Sequence, residues 1–304
     1  MNLHPGAPGL PPDPVVAGRA DPVAEHVRAA LDARLRTLLD QELGVRDADP
    51  EALHQARVSV RRMRSVLRAA APFLDEHWAD PLRAELGWIG RELGAVRDLD
   101  VLLERLRGDL ADFDEAHRVA AGPLLSELGR EHRAAREELL RALDGQRWAE
   151  LLEALLEAVR EPLPTSDVAP GGPRELRALV AKQYRRLRHA VEVSGAEPTD
   201  ARLHEIRVLG KRVRYTAELA EPAFGKPMRQ LLGAAKRFQD VLGEHHDACV
   251  AEQRVLDLLS ALGPDPALAF AAGRLVERAH ARRTAARERW HDAWRDLRGS
   301  AAKV

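Results

Sequence analysis

Apolar residues recur at Leu53, Ala56, Val60, Met63 and Leu67 in steps of three and four, the period of a helix that buries one stripe. One position later, His54, Arg57, Arg61, Arg64 and Arg68 keep the same rhythm, so they form an adjoining stripe roughly 100° around the axis. No acidic residue stands between Glu51 and Asp75. A solvated face normally interleaves acids and bases, because stacked like charges repel by a few tenths of a kcal/mol per pair. Here nothing within the helix offsets that repulsion, and an external anion would.

The same helical period continues along the chain, punctuated by Pro and Gly, and predicts an all-α protein. Asp21-Pro22 opens a helix that runs to about Leu43 before Gly44, since proline suits a first turn. Asp49-Pro50-Glu51 starts the basic helix, and Pro72 lies near its end. A further helix after Pro81 reaches Leu93-Gly94, where glycine marks a break or C-cap, and Arg97-Asp98-Leu99-Asp100 begins another. Residues 114–143 and 147–160 read as helices with mixed-sign exposed charge. Later helices are expected near 173–194, 199–220, 226–242, 244–262 and 267–297, the last carrying Trp290 and Trp294 toward the bundle.

About 150 residues after the first basic stretch, His204, Arg207, Lys211, Arg212 and Arg214 align with His54, Arg57, Arg61, Arg62 and Arg64. Leu203, Val208 and Val213 align with Leu53, Val58 and Met63, while Leu242, Gly243 and Asp247 match Leu93, Gly94 and Asp98 at an offset of 149. The chain therefore reads as a tandem duplication of a helical unit. The expected organisation is a disordered tail over 1–20, a first bundle over 21–160, a linker over 161–173 with four prolines and two glycines, and a second bundle over 174–300.

Composition narrows the partner. The formal net charge of the 304 residues is −1, whereas non-specific nucleic-acid binders tend to be basic overall; a focused basic patch in a neutral chain points to a confined anion site. Arginines number 42 against lysines only at 182, 211, 226, 236 and 303, and guanidinium offers paired bonds to phosphate oxygens. Aromatic residues make up 4%, so the core is expected from Leu, Val and Ala, and the stripes lack the interleaved rings on which bases stack. Cys249 stands alone, which excludes an internal disulfide and fits a reducing, cytoplasmic compartment. No run approaches the roughly 18 apolar residues of a membrane span, and the N-terminus lacks the pattern of a secretory signal.

Candidate chemistry concentrates on the two stripes. The helix from His54 to Arg68 spans about 21 Å, room for several successive phosphates. His54 and His204 open equivalent stripes and either contact phosphate or pack; contact would tighten binding at mildly acidic pH. Tyr215 either offers its hydroxyl or packs. Asp98 either caps a helix start or fixes an arginine of the basic helix, and Asp247 is its counterpart. The helix near 173–194, with Lys182, Arg185, Arg186, Arg188 and His189, either extends the basic surface or is a solvated face. A metal site from His245, His246 and Asp247 with His204 is disfavoured, since neighbours on a helix diverge by about 100° and the aligned first-half segment Ala95-Val96-Arg97-Asp98 has no counterpart of His245 or His246. Cys249 has no catalytic partner in sequence, and no phosphate loop of Walker type is present.

The motifs His54-x-x-Arg57-x-x-x-Arg61-Arg62-x-Arg64 and Leu93-Gly94-x-x-Arg97-Asp98-Leu99-Asp100, with His204-x-x-Arg207-x-x-x-Lys211-Arg212-x-Arg214-Tyr215 and Lys236-x-x-Gln239-Asp240-x-Leu242-Gly243, resemble the CHAD domains. The resemblance covers roughly Pro22 to Arg298; the second half has His246 where the first has Arg97. It implies paired antiparallel helical bundles around a basic groove or channel that binds inorganic polyphosphate. It adds Lys236 to the lining, with Arg91, Arg97 and Arg237 as weaker candidates. The expected protein is a non-enzymatic polyphosphate binder without cofactor or metal, docking on polyphosphate granules; the alternatives are single-stranded nucleic-acid binding and metal-dependent phosphohydrolysis.

Overall fold

The structure, a computed structural model, describes residues 9–167 and 171–303. Among the described residues ten α-helices follow one another: α1 (Val23–Arg46), α2 (Pro50–Ala70), α3 (Glu76–Ala111), α4 (Glu115–Ala120), α5 (Gly122–Asp144), α6 (Gln146–Arg160), α7 (Pro173–Glu192), α8 (Asp200–Phe224), α9 (Lys226–Leu262) and α10 (Pro266–Ala301). The fold is all-helical, as the periodicity predicts, and no strand is present among the described residues.

Local chemistry sets the entries. Asp49 accepts a hydrogen bond from the Glu51 N–H with Pro50 in the first turn, and Thr199 caps α8 through the Arg202 N–H, satisfying donors that a helix start leaves free. The apolar stripe of α2 is buried throughout: Leu53, Ala56, Val60, Met63 and Leu67 are all at most 5% exposed. α2 packs antiparallel on α3, with Arg57 over Gly94 and Arg64 over Gly87. α8 packs antiparallel on α9, where Gly210 meets Phe238 and His204 meets His246. α2 and α8 then lie against each other.

Three expectations about element ends change. The break at Leu93-Gly94 is absent: α3 runs 36 residues without interruption, from before Pro81 to Ala111, about 54 Å. Gly94 serves close approach instead of termination, because a Cβ there would stand 3.1 Å from an Arg57 nitrogen, and Gly90 faces Val60 in the same way. Asp98 is consequently mid-helix and caps nothing. Likewise α9 runs 37 residues through Leu242-Gly243, the packing of a long helix outweighing the roughly 1 kcal/mol that one glycine costs.

Of the expected disordered tail, residues 1–8 lie outside the described residues, while residues 9–20 are held against the bundle. The Val15 N–H donates to the buried Asp32 carboxylate at 2.9 Å, Arg36 donates to the Pro11 carbonyl at 2.7 Å, and Arg19 reaches the Ala223 carbonyl at 2.8 Å. A buried carboxylate needs donors, and this segment with Arg36 supplies them. In the linker, residues 168–170 lie outside the described residues; before them, Pro164 and Ser166 bond the Phe73–Asp75 stretch and Leu163 is buried.

Hydrophobic packing crosses that linker. One core gathers α1, α2, most of α3, α6, α7, α8, the first half of α9 and Trp290, Trp294 and Leu297 of α10. A second core joins the far ends of α3 and α9 to α5 and the start of α10, around Leu106, Phe113, Leu124, Val255 and Leu275. The long helices α3 and α9 thus belong to both cores and carry the faces that flank α2 and α8.

Candidate functional site

Where the two basic stripes meet, two cavities of about 370 Å³ each adjoin. The first is lined by His54, Arg57 and Arg61 of α2, Arg97, Asp98 and Arg105 of α3, Arg207 and Lys211 of α8, and His246 and Asp247 of α9. The second is lined by Arg61, Ser65 and Arg68 of α2, Lys182, Gln183 and Arg186 of α7, and Lys211, Arg212 and Tyr215 of α8. Arg61 and Lys211 belong to both, and so form the neck between them. The linings hold ten lysine and arginine side chains against two carboxylates.

Each polar group in this enclosure has a definable state. Arg57 donates to the Gly94 carbonyl at 3.0 Å and to Asp98 at 2.9 Å, so Asp98 fixes an arginine of the basic helix. Asp247 lies 3.9 Å from Arg105 across the site. Tyr215 is buried, and the Arg61 guanidinium stands 6.0 Å over its ring. The Nε atoms of Arg61 and Arg207 are buried with no hydrogen-bond acceptor.

Burial, reinforced by the crowding of like charge, shifts the proton affinities here. Burial, then Arg207, Arg61 and Arg57, lowers the Lys211 amine to about 7, with Asp247 opposing. Burial, then Arg207, His204 and Lys211, lowers His246 to about 4. His54 is lowered by burial and Arg97, and Arg212 by burial, Arg68 and Arg186. Every one of these shifts disfavours the charged form, as expected where cations outnumber their counter-charges.

Several sequence-predicted residues fall elsewhere. Arg64 stands about 60° around α2 from Arg61; its guanidinium lies over Gly87 of α3 and lines neither cavity. Arg62, about 100° to the other side, forms an ion pair with Glu218 at 3.3 Å. Arg214 donates to the same Glu218 at 3.0 Å and to Gln239 at 3.2 Å. Arg62 and Arg214 therefore form a clamp joining α2 to α8. Lys236 and Arg91 are exposed and line neither cavity, and Arg237 pairs with Asp296 at 3.4 Å. His204 sits outside the lining and supports His246, their Nδ1 atoms 3.2 Å apart.

Three cations were missed or left open: Arg105, Lys182 and Arg186. Arg105 follows Asp98 by seven residues, on the same face of one continuous helix, a relation hidden once a break is placed at Gly94. Lys182 and Arg186 are four apart on α7, and nothing in the sequence says which face of α7 meets α8. His246, the departure from Arg97, lies directly in the lining.

Metal-ligand types converge away from these cavities, at Asp200, His245 and Cys249. There Asp200 already takes His245 at 3.0 Å, Arg287 at 3.1 Å and Arg283 at 3.4 Å. The two guanidiniums supply the positive charge that a cation would otherwise bring.

The fold and site define an all-helical protein with a cation-lined enclosure between two long-helix units. The sequence pattern of the CHAD domain family matches residues 29–256, and the chain belongs to that family. The structure titled "PptA from Streptomyces chartreusis" superposes with a TM-score of 0.73 at 23% identity, covering 90% of this chain and 100% of that one. The CHAD domain from the plant Ricinus communis superposes with a TM-score of 0.72 at 24% identity, covering 98% of both chains. Among curated sequences, the uncharacterized protein MT2285 of Mycobacterium tuberculosis (strain CDC 1551 / Oshkosh) is 29% identical over 246 residues, 77% of this chain and 46% of that protein. The chain thus spans about half the length of that relative. No described helix is long and apolar enough to cross a membrane.

The Glu218 clamp makes one prediction about stability. Glu218→Ala leaves Arg62 and Arg214 without their shared counter-charge and, by thermal denaturation, lowers stability by about 1–3 kcal/mol, whereas Asp98→Ala, at a far more exposed pair, changes it by less than about 1 kcal/mol.

Proposed function

We propose that this protein binds inorganic polyphosphate, holding the chain in a channel formed by the two adjoining cavities, without acting on it. The observation that carries this reading is the meeting of both basic stripes at Arg61 and Lys211, with ten lysine and arginine side chains facing two carboxylates. Helix backbones hold these side chains in place, so little ordering is required on binding. Each phosphate neutralised releases counterions.

A ligand without bases is favoured because Tyr215, the one Phe, Tyr or Trp in the two linings, is buried with Arg61 over its ring. The linings therefore lack the row of exposed large rings on which successive bases stack. Against hydrolysis, Asp98 is engaged by Arg57 and Asp247 faces Arg105, whereas metal-assisted phosphate chemistry needs carboxylates free to hold the ion. In the cell such a binder would sit in the cytoplasm and dock on polyphosphate granules.

Charge reversal tests the assignment. Arg57→Glu with Arg207→Glu abolishes polyphosphate binding in a calorimetric titration, while circular dichroism retains the helical signal; parent-like binding by this pair would overturn the reading. Parent affinity falls steeply with salt, by a log–log slope of about 0.7–0.9 per phosphate contacted.

The pH dependence near neutrality follows from Lys211, whereas burial holds His54 below its usual value. The Lys211 amine, at about 7 in the free protein, faces Arg57 and Arg61 on α2, Arg207 on α8, His246 and Asp247 on α9, Arg97, Asp98 and Arg105 on α3, and Lys182 and Arg186 on α7. A bound polyanion favours its charged form, so binding takes up a proton above pH 7 and affinity rises as pH is lowered through 7. In Lys211→Arg this rise between pH 8 and 6 flattens; an unchanged pH profile would remove Lys211 from the account.

A further inference from the structure

Lys211 is an exception within its own chain. The position aligned with it in the first stripe is Arg61, and the chain holds 42 arginines to five lysines. The other four lysines, at 182, 226, 236 and 303, are exposed. Lys211 is half-buried at the neck shared by both cavities. Among the described residues its amine has neither an ion pair nor a hydrogen-bond partner. A guanidinium is permanently charged and poorly nucleophilic, whereas an amine can be neutral and can attack a carbonyl carbon.

We infer that Lys211 is an acylation site at which a small acyl phosphate, seated by its phosphate between Arg61 and Arg207, transfers its acyl group to the lysine amine. The inference rests on the channel's capture of phosphate, proposed above. Three properties of the neck support it. The Nε atoms of both arginines are unspent donors, and both side chains line the first cavity together with Lys211. An amine near 7 is largely neutral at pH 8, whereas the lysine side chain of a free peptide, at about 10.4, is almost wholly charged there. In an acyl phosphate one oxygen links phosphorus to the acyl carbon, so fixing the phosphate beside Lys211 also fixes the electrophile beside the nucleophile.

The step balances without a further reactant. The Nζ lone pair forms a C–N bond to the acyl carbon, the carbon–oxygen bond to phosphate breaks with its electron pair on oxygen, and one amine proton leaves with the phosphate as HPO₄²⁻. The product is a neutral amide where the neck had a titrating cation. Polyphosphate binding then weakens, and the salt slope falls by about the increment of one phosphate contact.

The test is peptide mapping by mass spectrometry of the full chain after incubation with acetyl phosphate at pH 8. Lys211 is expected to acetylate at least about tenfold faster than Lys226, Lys236 and Lys303, with pyrophosphate suppressing the excess. N-acetylimidazole, an acyl donor without phosphate, is expected to show a smaller preference for Lys211. The inference is overturned if Lys211 reacts no faster than the exposed lysines, or if its excess is indifferent to pyrophosphate. Polyphosphate binding by the same preparation, measured in parallel, separates the two readings. Normal binding with an unreactive Lys211 removes the acylation site alone, whereas selective, pyrophosphate-sensitive acetylation without polyphosphate binding keeps the site and removes the longer ligand.

Discussion

Two helices of like charge are held face to face, and the remaining architecture exists to keep them there. A pair of unit charges 8 Å apart repels by roughly 2 kcal/mol at an effective dielectric near 20. Burying a single large aliphatic side chain contributes about 1.5–3 kcal/mol. On α2 alone Leu53, Val60, Met63, Val66 and Leu67 are buried, so the packing of this one helix outweighs any single such repulsion several times over. The unfavourable charge is held by the core and relieved in two ways: by titration, at Lys211 and His246, and by whatever anion enters.

The arginines of the two stripes divide their labour. Those at the centre of the facing surfaces, Arg57, Arg61 and Arg207, line the enclosure. Those displaced around the axis or further along it serve the frame: Arg64 lies on α3, and Arg62 and Arg214 close on Glu218. One acidic residue thus bridges both basic helices just outside the cavities and sets how closely they approach. Glycines on α3 contribute from the other side, letting the arginines of α2 lie flat against the neighbouring helix.

Much of this was legible in the sequence because a helix repeats its geometry. A stripe at steps of three and four, next to an apolar stripe, gave the fold class, the buried face of α2 and the lining residues His54, Arg57, Arg61, Arg68, Arg207, Lys211 and Arg212. What the sequence concealed depends on distances between elements. A glycine that ends a helix and a glycine that admits a neighbour look alike in sequence, so Gly94 reads as a stop and the continuity of α3 that brings Arg105 to the site stays hidden. Lys236 and Arg237 are basic and near in sequence, yet they face solvent. Arg62 fits the aligned motif but points toward Glu218, an acid 156 positions away. The held segment over 9–20 is equally hidden, since its anchors, Asp32, Arg36 and the Ala223 carbonyl, lie far from it in sequence.

The most direct measurement is calorimetric titration of the protein with inorganic polyphosphates of graded length. If two opposed cationic faces share one anionic chain, affinity climbs with each added phosphate and reaches a plateau once the lane between them is filled. An affinity already maximal at mono- or diphosphate, and flat thereafter, would mean that the facing stripes act as an isolated small-anion pocket and that the shared lane does not exist.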